Sequence, residues 1–184
     1  MSGSRSPGDW VRRALAMTGH DLRLGARHLW VNAIGGWCLT PRLLRFFIYR
    51  SAGLGVGTAN IFPGCRFTGP GGTTIGPASF VNSGCYFEAS APIRIGRQCL
   101  IAMQVLITTS THELGPDGFV SRESSCAPVT IGNRCWLGAR CVVLPGVTIG
   151  DGVVVAAGAI VTEDCAPHGL YAGAPAVRMR DLGR

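Results

Sequence analysis

Residues 129–161 read VTIGNRCWLGARCVVLPGVTIGDGVVVAAGAIV, and one spacing runs through them. Aliphatic side chains recur at every sixth position, at Ile131, Leu137, Val143, Ile149, Val155 and Val161. Upstream the same step links Ile75, Val81, Phe87 and Ile93, and after a two-residue slip it resumes at Ile95, Ile101 and Ile107. Four positions after each aliphatic residue stands a small or β-branched one: Ser79, Cys85, Ala91, Cys99, Val105, Thr111, Cys135, Cys141, Val147, Val153, Ala159 and Cys165. The small residue and the next aliphatic one are two apart, so on a strand both face the same side. Gly, Asn or Ala often follows the aliphatic position, where the chain must turn. A step of six fits neither a helical period nor unbroken alternation. It describes a three-sided coil of about eighteen residues whose stacked turns make three parallel sheets. The expected fold is all-β, a parallel β-helix of hexapeptide repeats over residues 56–166.

This register gives most of the cysteines a place. Cys85, Cys99, Cys135, Cys141 and Cys165 fall in the small inward slot, as does Cys65 counted from Ile61. They read as small buried hydrophobes. Cys38 and Cys126 fall outside the pattern, and no C-x-x-C pair suggests a metal or redox site.

Two regions break the repeat. Residues 1–55 form a helical N-terminal segment that caps the open end of the coil. Thr40-Pro41 reads as a helix start, Arg42–Ala52 as the helix and Gly53 as its stop, with an earlier short helix over Asp9–Thr18. The second break, 112–128, is a polar loop with Glu113, Asp117, Arg122 and Glu123, long enough to suggest function. Residues 167–184 leave the coil as a tail carrying Arg178, Arg180 and Arg184.

The net charge is +7, carried by Arg alone because the chain has no Lys. Eight Arg lie in residues 1–50, against only Asp9 and Asp21. A solvated basic face is one reading, and a peripheral contact with a membrane surface is the functional alternative. No zinc-finger or aromatic-and-basic RNA signature accompanies the charge, so no nucleic-acid partner is expected. The longest apolar run, Leu29–Leu39, is too short to span a bilayer, and Met1–Asp9 lacks a signal-peptide pattern. A cytoplasmic protein is expected.

Four histidines are present, His20, His28, His112 and His168, and only His112 sits near a coil face. A catalytic zinc would need about three converging imidazoles, so no metal is expected. A single histidine suits general base catalysis on an acceptor hydroxyl, with backbone amides at the coil corners stabilising an oxyanion.

The segments Thr109-Ser-Thr-His112, Pro128-Val-Thr-Ile-Gly-Asn-Arg-Cys-Trp136, Leu144-Pro-Gly-Val-Thr-Ile-Gly-Asp151, Ala156-Ala-Gly-Ala-Ile-Val-Thr162 and Tyr171-Ala-Gly-Ala-Pro-Ala176 keep one order and spacing. Over about residues 56–181 the chain resembles the hexapeptide-repeat acyltransferases of the maltose and galactoside O-acetyltransferase type. That resemblance implies a left-handed β-helix, a homotrimer with sites between neighbouring copies, and an acyl-CoA, usually acetyl-CoA, as co-substrate. It makes His112 the general base and Asn82 the acceptor ligand. It sets Trp136 beside the pantetheine arm and the backbone of Gly138 and Ala139 at the thioester carbonyl. Ala157 and Thr162 then meet pantetheine, and Arg180 the CoA phosphates. Sugar acetyltransferases carry an Asp where this chain has Ser90, which makes Glu88 the nearest carboxylate for acceptor binding. An O-acyltransferase acting on a sugar or other small metabolite is expected. The alternatives are transfer to an amine and a non-catalytic scaffold.

Overall fold

The sixfold spacing becomes three sheets of very short strands wound into one solenoid. A computed structural model describes residues 7–115 and 117–183. The first sheet stacks Gly55–Val56, Thr73–Ile75, Ile93–Ile95, Val129–Ile131 and Thr148–Ile149. The second stacks Asn60–Ile61, Phe80–Val81, Leu100–Ile101, Trp136–Leu137, Val154–Val155 and Gly169–Gly173. The third stacks Arg66–Thr68, Tyr86–Glu88, Leu106–Thr108, Val142–Val143 and Ile160–Val161. All these pairings are parallel, as a coil winding in one direction requires. The chain is a left-handed β-helix with a helical N-terminal segment.

The register shows how the repeat is kept. Trp136 lies opposite Val154, eighteen residues on, whereas Phe80 lies opposite Leu100, twenty residues on. Early coils therefore carry two extra residues, which is the slip seen between Ile93 and Ile95. These extra residues shift the small slot. Ala89 and Thr109 are the inward residues, not Ala91 and Thr111, which remain half-buried and exposed. Leu100 and Trp136 are coil neighbours although thirty-six positions apart, because a whole excursion is inserted between them.

Inside the solenoid, large and small slots alternate as the sequence demands. Val81, Phe87, Ile101, Ile107, Leu137, Val143 and Val155 are fully buried, and the six cysteines of the small slot are buried beside them. Burial pushes the Cys141 thiol up to about 12 and the Cys165 thiol up to about 11, so these sulfurs are not nucleophiles.

The N-terminal segment departs from its expected layout. Helix α1 spans Pro7–His28, far longer than Asp9–Thr18, and continues as a π-helical stretch, Leu29–Gly35. Helix α2 spans Arg42–Ser51. Val31, Ile48, Tyr49 and Leu54 close the open end of the coil. Thr40 is not the cap of α2: its hydroxyl donates backward to the Ile34 carbonyl, and Pro41 occupies the cap position. Arg45 is not on a solvated face. It is buried, and its guanidinium donates to the carbonyls of Gly35, Trp37, Thr40 and Ile61, fastening α2 to the turn before it. Asn32 pairs with Phe67 like a strand residue, accepting from its N–H at 2.8 Å and donating to its carbonyl at 3.1 Å.

Two expected irregular segments are antiparallel strand pairs. Ser110–Leu114 and Val120–Cys126 form a two-stranded ribbon that projects from the coil. At the other end Gly169–Gly173 extends the second sheet, and Ala176–Asp181 folds back against it. Arg178 locks this return, with its guanidinium on Asp181, Tyr171 Oη and the carbonyls of Ala166 and Pro167. Arg184 lies outside the described residues.

Candidate active site

The ribbon is where the solenoid gives up its core and presents polar groups. Its strands alternate small polar residues on both faces, so neither face buries against the coil, and His112 stands exposed on it opposite Ser124. The His112 Nδ1 lies 3.0 Å from the Ser121 carbonyl, across the ribbon. A carbonyl only accepts, so this bond puts the proton of a neutral imidazole on Nδ1 and leaves the Nε2 lone pair free. Such an imidazole is oriented as a base.

Glu88 sits at the foot of the ribbon. One carboxylate oxygen accepts from the Thr108 hydroxyl, the Thr109 and Ser110 N–H groups and the Ser110 hydroxyl, at 2.9 to 3.1 Å. The other accepts from the N–H and hydroxyl of Ser90. Partial burial pushes this carboxyl up, but the hydrogen bonds from Ser90, Thr109, Ser110 and Thr108 outweigh it and hold it at about 2. With both oxygens filled by donors of its own chain, Glu88 fixes the ribbon root rather than offering lone pairs to an acceptor.

The remaining candidates cluster elsewhere. Asn82, Gly138, Ala139 and Ala157 lie at the corner between the second and third sheets. Trp136 lies on the outer face of the second sheet, 52% exposed, with exposed Leu100 on the neighbouring strand. Asn82 uses its Oδ1 to accept from Ser83 N–H at 2.8 Å, while its amide N–H groups have no partner among the described residues. The Gly138 N–H is bonded to the Val155 carbonyl at 2.7 Å and is not free for a ligand. The N–H groups of Ala139, Ala157 and Thr162 have no acceptor among the described residues. Gly138 is required for a different reason, since a Cβ there would meet Ala157 N at 2.5 Å. Thr162, like Glu88 and His112, belongs to the next corner, between the third and first sheets. Arg180 is exposed on the returning strand opposite Leu170, without the ion pair that holds Arg178. One copy of the chain thus divides the candidates between two corners about 15–20 Å apart along the coil, at ~3.3 Å per residue.

Comparison with known proteins agrees with this architecture. Residues 128–163 match the family described as hexapeptide repeat of succinyl-transferase. Galactoside O-acetyltransferase of Escherichia coli K12 is 33% identical over 129 residues, covering 59% of this chain and 64% of that one. A Schizosaccharomyces pombe protein named as an acetyltransferase is 39% identical over 110 residues, covering 58% of this chain and 52% of the other. This chain therefore spans less than two thirds of either relative. The hexapeptide-repeat acetyltransferase of Vibrio cholerae, solved with acetyl coenzyme A, superposes with a TM-score of 0.78. It is 28% identical and matched over 88% of both chains. Over the solenoid the chain is thus similar to hexapeptide-repeat acetyltransferases in repeat, sequence and fold.

Sequence reasoning picked out His112 but missed what orients it. Ser121 contributes only a backbone carbonyl, and Thr108, Ser110 and Glu88 act through a polar network. None of these leaves a spacing signal, because partners twenty residues apart meet only once the coils stack. Among the described residues no three potential metal ligands converge.

Proposed function

We propose that this protein is an acyl-CoA-dependent O-acyltransferase, with acetyl as the acyl group and a hydroxyl of a sugar or other small metabolite as acceptor. The observation that carries the reading is the fixed tautomer of His112, with Nδ1 held by the Ser121 carbonyl and Nε2 unencumbered on an exposed ribbon. Nε2 takes the proton of the acceptor hydroxyl as its oxygen attacks the thioester carbonyl. The tetrahedral intermediate collapses, the C–S bond breaks, and the imidazolium returns the proton to the departing thiolate. The free N–H of Ala139 suits the oxyanion, and those of Ala157 and Thr162 suit the amide carbonyls of pantetheine. The exposed apolar surface of Trp136 and Leu100 fits the pantetheine arm, and Arg180 its phosphates. The unpartnered amide of Asn82 is suited to the acceptor.

Because these groups occupy two corners of one chain, a complete site draws on a second copy. A homotrimer, with three clefts between neighbouring coils, is the assembly this reading requires, in a cytoplasmic enzyme. The V. cholerae structure with acetyl coenzyme A supports the co-substrate. The test is His112→Ala, with acetyl transfer and calorimetric binding of acetyl-CoA measured together. Loss of a general base lowers turnover about 10²–10⁴-fold, while binding persists. Near-normal turnover in this variant would remove His112 from the mechanism.

A further inference from the structure

More than half of the large apolar side chains left exposed lie between residues 15 and 47, in the helical segment rather than on the coil. Leu15, Leu22 and Leu29 are 68%, 69% and 57% exposed. They are seven residues apart along α1 and its continuation, so they make one apolar stripe. Near its C-terminal end helix α1 meets the body, where Arg27 donates to the Ala52 carbonyl, and a cleft of about 490 Å³ opens between this helix and Phe67, Thr68 and Gly69. Trp30 and Trp37 are exposed at the elbow that follows, and Leu43 and Phe47 continue the apolar surface onto α2.

Charge decides what covers this surface. Arg12 and Arg23 flank the stripe, and Arg42 and Arg50 flank the apolar face of α2, all exposed. Residues 1–50 hold eight Arg and only two acidic residues, so they carry nearly all of the chain's +7. A second copy of the same helix would bring like charges together. It would also find no interlocking seam, because the positions between the leucines are small ones, Gly19, Gly25 and Ala26, and a Cβ at either glycine would meet nothing. Exposed leucines, two tryptophans at an elbow and flanking arginines are instead the composition of a helix that lies in a membrane interface.

We propose that the helical segment, from Leu15 to Phe47, docks the enzyme on an anionic lipid surface, with the leucine stripe and the two tryptophans among the acyl chains and the arginines on the headgroups. No helix among the described residues is long and apolar enough to cross a bilayer, so the contact is peripheral. This inference does not depend on the proposed activity.

The test is co-sedimentation of the full chain with vesicles of phosphatidylcholine alone and of phosphatidylcholine mixed with phosphatidylglycerol. Binding is expected only to the anionic vesicles and weakens with added salt. Leu22→Glu lowers partitioning about 10-fold or more, by removing buried apolar area. Arg23→Glu lowers it by a similar factor, about 10-fold, by reversing a charge at the surface. Both sites are exposed, so the melting temperature is expected to stay at the wild-type value. Absence of binding to anionic vesicles, or binding that neither substitution weakens, overturns the proposal. So does a smaller oligomer or a lower melting temperature for Leu22→Glu, which would show that another copy of the chain already covers the stripe.

Discussion

The coil and the ribbon that leaves it are both made of short strands, yet they are held by opposite means. In the coil the inward side chains are buried in a close-packed and mostly apolar column, and shape carries most of the stability. In the ribbon nearly every described side chain from Ser110 to Cys126 meets solvent, and order comes from antiparallel backbone pairing and the donors gathered on Glu88. The coil is rigid by packing and chemically inert. The ribbon is fixed at its root by polar bonds and carries His112. Stability and chemistry are therefore separable in this molecule.

The sharpest way to break that separation is to empty the coil. Phe67 is buried, stacked on Phe87 with ring centroids 4.8 Å apart and set edge-on to Tyr49 at 5.2 Å. Phe67→Ala removes that packing and leaves a cavity costing about 3–5 kcal/mol, seen as a melting temperature lower by roughly 10 °C. Turnover per folded molecule is expected to hold, because the ribbon root is untouched. A large fall in turnover at temperatures where the variant remains folded would show the two regions to be coupled.

Glu88→Gln attacks the other side. The neutral amide replaces one acceptor oxygen with a donor and weakens the root. Misplacement of His112 is expected to lower turnover about 10- to 100-fold, while acetyl-CoA affinity and global melting change little. The pH dependence has a definite sign. The carboxyl is held at about 2 in the folded chain, below its ordinary value of 4.5. Its stabilisation is therefore complete above the ordinary value and is lost as pH falls through about 2. The protection of the Ser110–Leu114 amides, corrected for the intrinsic exchange rate at each pH, should fall in the wild type as pH drops below the ordinary value and stay flat in Glu88→Gln. Parallel curves for the two proteins would relieve Glu88 of this role.

The same contrast explains what the sequence discloses. The coil is legible because its rule is local and repeated: a large slot and a small slot, two residues apart, every six. That rule located the sheets and the buried cysteines, and it erred only at Ala91 and Thr111, where the two extra residues displace the slot to Ala89 and Thr109. The ribbon read as a loop because Ser110–Leu114 and Val120–Cys126 have no apolar face, so their strands leave no hydrophobic period. The full length of α1 was hidden for a related reason. Its described large apolar residues, Leu15, Met17, Leu22 and Leu24, stand exposed, and Gly19 and Gly25 interrupt its helix-forming run. Glu88 drew attention as a carboxylate but not as an anchor, since Thr108, Thr109 and Ser110 approach it from the following coil.

The smallest expected effect tests the claim that the coil is held mostly by shape. Thr73 and Ser79 are both buried polar residues on neighbouring faces of the same turn. The Ser79 hydroxyl donates to the Gly96 carbonyl at 2.9 Å and accepts from Cys99 N–H at 3.0 Å, so it ties two coils together. The Thr73 hydroxyl has no partner. An unpaired buried hydroxyl costs about 1–3 kcal/mol against an apolar group of the same shape. Thr73→Val keeps the branched side chain and its strand preference, and is expected to stabilise the chain by about 1 kcal/mol, raising the melting temperature by roughly 2–4 °C. Ser79→Ala, as its control, should lower it, because Cys99 N–H and the Gly96 carbonyl would both lose a bond. If Thr73→Val is instead destabilising, its hydroxyl is satisfied by a buried water, and the inside of the coil is held partly by polar bonds like the ribbon beside it.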